Sequence, residues 1–198
     1  MLKLIKKYLD IQLINISLAF AIVFFLFFNS AVLIYKFDYY KGTHFKAIWE
    51  LSKDFIYIYL YTTIIFFGLT VHRIVFKLGT IFLFITGAIA SYFLYFLEIS
   101  PTKEIMSSVF STNLSEIYEV ITIKLVIWLL FSLLTCVYMF KHFAMTSSKL
   151  LATRLLSAVC LLIAINNIIT PQFKVLAHYF PIQYLHNSYL YFDKSSAR

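Results

Sequence analysis

Charge is what this chain has least of. Only 13% of its 198 residues are charged, against roughly 25% in a typical soluble domain. With 62% hydrophobic and 20% aromatic residues, that scarcity excludes a soluble globular domain and implies an integral membrane protein. The apolar runs are long enough for several spans of about 20 residues across a hydrocarbon core of roughly 30 Å, and they leave no room for a separate catalytic domain. Metal-ligand spacing is missing as well. The five histidines, at positions 44, 72, 142, 178 and 186, form no HxxxH or HxH pair, so no metal site is expected within this chain. Cys136 and Cys160 each lie inside an apolar run without redox or zinc spacing, and read as small apolar side chains. The net charge of +8 does not point to nucleic acid, because there is no basic stripe interleaved with exposed aromatics. The basic residues stand in short connectors beside apolar runs, where they set membrane orientation.

What is present can be taken in chain order. Lys3, Lys6 and Lys7 precede an apolar run that reaches Tyr35. The run is too long for a signal peptide and ends in Leu-Ile-Tyr-Lys instead of a small-residue cleavage site. Residues 11–35 are therefore expected to be a retained first span, with Asn29 and Ser30 as polar breaks better suited to bonding a neighbouring helix than to holding a ligand. Residues 36–53 carry four lysines with Tyr39, Tyr40 and Trp49, which suits an interfacial loop or a surface-lying helix. A second span is predicted over 54–71, with Tyr57, Tyr59 and Tyr61 as an interfacial belt. The short basic connector His72-Arg-Ile-Val-Phe-Lys77 makes a third span, 78–99, turn straight back. A fourth, 123–140, is entered through Lys124 and Trp128, and a fifth, 152–170, closes at Asn166 and Asn167 before Pro171. The expected fold is an all-α membrane protein of five transmembrane helices, with short periplasmic surface helices within 36–53 and 100–120, a membrane domain over 1–170 and a tail over 171–198.

Counting charges orients these spans. The N-terminus and the connectors at 72–77 and 141–154 hold Lys3, Lys6, Lys7, Arg73, Lys77, Lys141, Lys149 and Arg154 with the single acid Asp10. The other side holds the remaining nine basic residues among eight acids. The short, acid-poor side is expected to be cytoplasmic, with the N-terminus inside and the C-terminus outside.

The longest polar interruption between two apolar runs is Ser100-Pro-Thr-Lys-Glu-Ile-Met-Ser-Ser-Val-Phe-Ser-Thr-Asn-Leu-Ser-Glu116. Read as a helix, Ser108, Thr112 and Glu116 stand four residues apart and fall successively about 40° around the axis, on one face. Ile105, Met106, Val109 and Phe110 form a separate apolar stripe. Such an amphipathic element suits a membrane surface, where hydroxyls and a carboxylate can hold a cationic headgroup. Capping explains the same residues: Asn113 with Glu116 fits a capping box, and Ser100-Pro101 fits an N-cap and first helical position. Both readings stand at this point, since a carboxylate at a helix start remains available to an ammonium group.

The block from Ala90-Ser-Tyr-Phe-Leu-Tyr-Phe through Glu116, followed by Ile123-Lys-Leu-Val-Ile-Trp-Leu-Leu130, resembles the N-terminal membrane domain of the lipid A phosphoethanolamine transferases of Gram-negative bacteria, the family that includes the colistin-resistance enzymes. The shared pattern is a Tyr-Phe at a span's end, then Met-Ile-x-Asn-Val-x-x-Thr-Asp-x-x-Glu, then a Lys-Leu-x-x-Trp entry to the fourth span. Thr112 and Glu116 match the family's threonine and glutamate. Ser108 stands where the family has asparagine, and Asn113 replaces its aspartate. The resemblance implies that Ser108, Thr112 and Glu116 hold the phosphoethanolamine headgroup of phosphatidylethanolamine.

It also implies that catalysis belongs to a zinc-dependent, alkaline-phosphatase-like domain with a threonine nucleophile, joined in cis after the fifth span. No catalytic residue and no cofactor is then expected in these 198 residues, and zinc is expected in the catalytic domain. The implied function is to present a donor phospholipid in the bacterial inner membrane to a periplasmic domain that modifies lipid A or another envelope acceptor. The chain alone is not expected to transfer phosphoethanolamine. The alternatives are a small multi-pass transporter, which needs a polar path at mid-membrane, and a non-catalytic membrane anchoring or assembly protein.

Overall fold

The structure is a computed structural model and describes residues 11–30, 32–34, 44–97, 121–143, 151–169, 181, 183 and 185–189. Among these residues the only regular elements are helices, as uninterrupted apolar runs require when no water is present to satisfy backbone groups. The order is α1 (Ile11–Phe24), a π-helical turn (Phe25–Asn29), α2 (His44–Leu69), α3 (Arg73–Leu97), α4 (Ile123–His142) and α5 (Leu151–Ile169). The segments Gln12–Asn29, Arg73–Leu97 and Ile123–His142 are long and apolar enough to cross a membrane, and α5 contains the shorter apolar helix Thr153–Asn166.

Two of these boundaries follow from local chemistry. Between α2 and α3 the chain reverses within a tight turn, in which Thr70 bonds back to the Phe67 carbonyl through both its amide and its hydroxyl. His72 Nδ1 accepts the Ile74 amide at 3.2 Å, so the histidine caps the start of α3. The short connector does turn straight back. At the other boundary α2 begins at His44, so much of the stretch expected at the interface is helical and continuous with residues 54–69. Its 26 residues make a rod of about 39 Å, longer than a bilayer core of roughly 30 Å. Trp49, exposed, with the Lys53 ammonium 5.4 Å from its ring, marks the polar end of that rod.

The core is built from phenylalanine. Phe20, Phe24 and Phe28 of the first helix are fully buried, as are Phe66, Phe76 and Phe84. Phe20 touches rings on three other helices: Phe66 of α2 at 5.8 Å, Phe76 of α3 at 5.2 Å and Phe140 of α4 at 5.5 Å between centroids. Tilted and edge-on pairs at such separations are the favoured aromatic geometry. Gly87 of α3 makes room for this packing, because a Cβ there would stand 3.0 Å from the Phe28 ring and 3.2 Å from the Phe24 ring. On the other flank α2 packs closely along α5. At Gly68 a Cβ would lie 2.8 Å from the Leu161 backbone nitrogen, and the Tyr61 hydroxyl donates to the Ala164 carbonyl at 3.2 Å. Small residues that let backbones approach are the usual means of helix association in lipid.

Tyr61 therefore departs from the expected belt. It is buried between helices, whereas Tyr57 is exposed, because position 61 falls on the α2 face that meets α5. In α4 the two faces divide cleanly: Leu125, Ser132, Cys136 and Met139 are buried, while Ile123, Ile127, Leu130, Leu134 and Val137 are exposed. An exposed stripe that apolar suits contact with lipid tails. Cys136 is buried, Cys160 half-buried, and both are free thiols.

Candidate functional site

Ser108, Thr112 and Glu116 lie outside the described residues. What the structure does place is the end of the bundle from which their segment departs and to which it returns. α3 ends at Leu97 and α4 begins at Ile123, so the connecting segment leaves one helix and enters its antiparallel neighbour at the same end. The register between those two helices is held by side-chain hydrogen bonds. The Tyr92 and Thr122 hydroxyls meet at 2.5 Å. Trp128 Nε1 donates to Ser91 Oγ at 3.0 Å, and the Ser132 hydroxyl donates to the Phe84 carbonyl at 3.1 Å. Thr122 also accepts the Leu125 amide at 3.3 Å, which makes it the N-cap of α4.

Each of these groups has a reason to pair. A hydroxyl or an indole N–H in an apolar surrounding carries a desolvation cost unless it is bonded, and the partners available at this depth are on the adjacent helix. Tyr92 lies about one and a half turns before the end of α3, so its bond to the first residues of α4 fixes how far apart the two ends of the connecting segment can stand. Two of the sequence blocks noted above thereby acquire a physical role. Tyr92, of the aromatic pair at the close of the third span, and Trp128, of the Lys-Leu-x-x-Trp entry, lie on the two sides of one clamp. Ser91 and Thr122 are its other halves, and sequence reasoning missed them. A lone serine or threonine in an apolar run carries no signal of its partner.

Beside the clamp lies a cavity of about 350 Å³, lined by Leu26, Phe27 and Ser30 from the first helix, Tyr95 and Phe96 from α3 and Trp128 from α4. Its first-helix wall comes from the π-helical turn Phe25–Asn29 and the residue after it. Such turns insert an extra residue into the helix and are frequent at functional sites. Of the two polar breaks noted in the first span, Asn29 is fully buried within that turn and Ser30 faces the cavity. Volume and lining both fall in the range of small-molecule sites, mostly aromatic with few polar groups. Among the described residues no three His, Cys, Asp or Glu side chains come together in a way that could hold a metal ion.

The clamp, and the α3 and α4 walls of the cavity, fall within a segment that is similar to a known family. The family model described as phosphoethanolamine transferase EptA/EptB matches residues 58–185, a stretch that runs from the middle of α2 through the whole of α3, α4 and α5. No curated protein and no solved structure matches the chain. The matched span covers more than half of the sequence and includes every residue of the clamp, and the chain belongs to the phosphoethanolamine transferase EptA/EptB family, of which it is the N-terminal membrane domain.

Proposed function

We propose that this membrane domain binds the phosphoethanolamine headgroup of phosphatidylethanolamine between Ser108, Thr112 and Glu116, and positions it for a periplasmic catalytic domain. The Glu116 carboxylate would attract the ethanolamine ammonium, while the Ser108 and Thr112 hydroxyls would donate to phosphate oxygens. An ion pair half out of water contributes about 1–2 kcal/mol, enough to orient a lipid that the membrane already concentrates. Orientation of this kind lowers the barrier of a later transfer step by holding the reacting group near its attack geometry.

The observation that carries the reading is the clamp, because Tyr92–Thr122 and Ser91–Trp128 hold the two ends of the headgroup-bearing segment at one end of the bundle. In this reading α2 and α5 complete a five-span domain with a cytoplasmic N-terminus, as the charge asymmetry favours. The segment 100–116 then faces the periplasm of the inner membrane. The transfer chemistry, to lipid A or another envelope acceptor, belongs to a zinc-dependent domain in cis, with residues 171–198 leading towards it. A transporter is disfavoured by the interior, where Phe20, Phe24, Phe28, Phe66 and Phe84 pack ring against ring and supply none of the polar lining that a solute path needs.

The test is lipid exchange into nanodiscs holding the chain, with phosphatidylethanolamine competed against phosphatidylglycerol and phosphatidylcholine. Wild type is expected to retain phosphatidylethanolamine preferentially, and Glu116→Gln to lose about tenfold of that preference. Equal retention of all three headgroups by wild type would sink the proposal.

A further inference from the structure

The cavity is not accounted for by a headgroup site, because five of its six lining residues are aliphatic or aromatic. We infer that the cavity between α1, α3 and α4 takes one acyl chain of a membrane phospholipid, with the Ser30 hydroxyl at its polar edge to bond an ester carbonyl. The inference deepens the function proposed above and rests on it only for which lipid is bound. That an acyl chain occupies the cavity is argued from the cavity alone.

Three features commit the occupant to a lipid tail. The walls belong to the three helices that are long and apolar enough to cross a membrane, so the medium against them is hydrocarbon. Leu26, Tyr95 and Phe96 are each about half exposed, which opens the cavity sideways between helices and not only along their axes. A chain already in the bilayer can enter without crossing water. The depth also fits: Trp128 is the sixth residue of α4, about 7.5 Å along the axis from its first, within the apolar run and not at its end.

The remaining features concern how the site is held open and what it offers. The Trp128 indole is fixed by its bond to Ser91 and packs 6.3 Å from Phe96 and 6.4 Å from Phe131, so one wall is rigid. The opposite wall is the π-helical turn, whose Phe25, Phe28 and Asn29 are buried while Leu26 and Phe27 turn to the cavity. Ser30 closes that wall with a half-buried hydroxyl at the cavity's edge. An ester carbonyl can only accept, and a serine hydroxyl is the donor it lacks in a lipid interior.

Photolabelling tests this with the full 198-residue chain in nanodiscs doped with phosphatidylethanolamine or phosphatidylcholine bearing a diazirine on one acyl chain. Leu134, exposed to surrounding lipid on the far face of α4, serves as the reference. Labelling at Phe27 and Trp128 is expected to exceed that at Leu134 by about fivefold, a preference near 1 kcal/mol, with either headgroup. Ser30→Phe, which fills the cavity, is expected to bring the ratio to about one while leaving Leu134 labelled; if that variant does not elute as a single species, Leu26→Trp serves instead. Equal labelling of Phe27, Trp128 and Leu134 in wild type overturns the inference, and means that bulk lipid only, or the apolar stripe of residues 105–110, meets these walls. Enrichment that survives filling of the cavity overturns it too. Glu116→Gln is expected to keep the enrichment, so failure of the headgroup reading and failure of the acyl-chain reading give different results.

Discussion

The two ends of the same helices are built on opposite plans. Around Phe20, four helices meet through phenylalanine rings, those of Phe20, Phe66 and Phe76 fully buried and that of Phe140 partly so. Around Trp128, helices of the same apolar character are joined by hydroxyls and an indole, and they leave a cavity. Lipid tails are as apolar as the side chains, so burial gives no net hydrophobic drive between helices, and association depends on close packing or on hydrogen bonds. One end uses the first means and the other the second. The difference teaches where function can be accommodated: a packed aromatic centre has no vacancy, whereas a hydrogen-bonded clamp fixes the helices without filling the space between them.

The contrast can be broken most severely at its packed end. Phe20→Ala removes a ring shared by α2, α3 and α4 and is expected to lower stability by about 3 kcal/mol, read as a drop in the unfolding midpoint in mixed micelles. It should leave the ratio of bound headgroups unchanged, since it lies away from the clamp. Tyr92→Phe and Trp128→Phe act at the other end and should each cost only about 1 kcal/mol, the range for a single interhelical hydrogen bond in a membrane. Their larger effect is expected in headgroup preference, because they release the ends of the connecting segment. A fall in the midpoint with unchanged preference would reduce the clamp to a purely structural device.

The smallest effect probes an exception to the packed plan. Thr80 of α3 is fully buried, and its hydroxyl has no hydrogen-bond partner among the described residues, although threonines in helices commonly bond the preceding turn. Thr80→Val keeps the shape and deletes the unpaired oxygen, so it should stabilise by about 0.5–1 kcal/mol. A loss of stability of that size would mean that the hydroxyl has a partner supplied by lipid or water.

Much of the fold was legible because the signals were local. The lack of charge announced a membrane protein, the basic connector at 72–77 announced a reversal, and Lys124 with Trp128 announced the entry to α4. The candidate site was legible only in part. Asn29 and Ser30 were visible as polar breaks, but the same two letters lead to different fates, one buried in a π-helical turn and the other at a cavity wall. Tyr61 was misjudged because its burial depends on where α5 packs. That residues 44–53 and 54–69 form one continuous helix was not legible, because Lys53 and Asp54 resemble a boundary, although a helix can carry both.

By itself, the sequence determined the class of the molecule, the approximate helices, and through its aromatic and polar blocks the family to which it belongs. These follow from hydropathy and from residues close together in the chain. Only the tertiary structure decided which face of each apolar helix meets protein and which meets lipid, because period and hydropathy are nearly the same for both when the solvent is itself apolar. It also decided the partnerships of Ser91 with Trp128 and of Tyr92 with Thr122, 37 and 30 residues apart. Those pairs exist because an indole or hydroxyl held in hydrocarbon must find its partner on a neighbouring helix, and the choice of neighbour is made by packing.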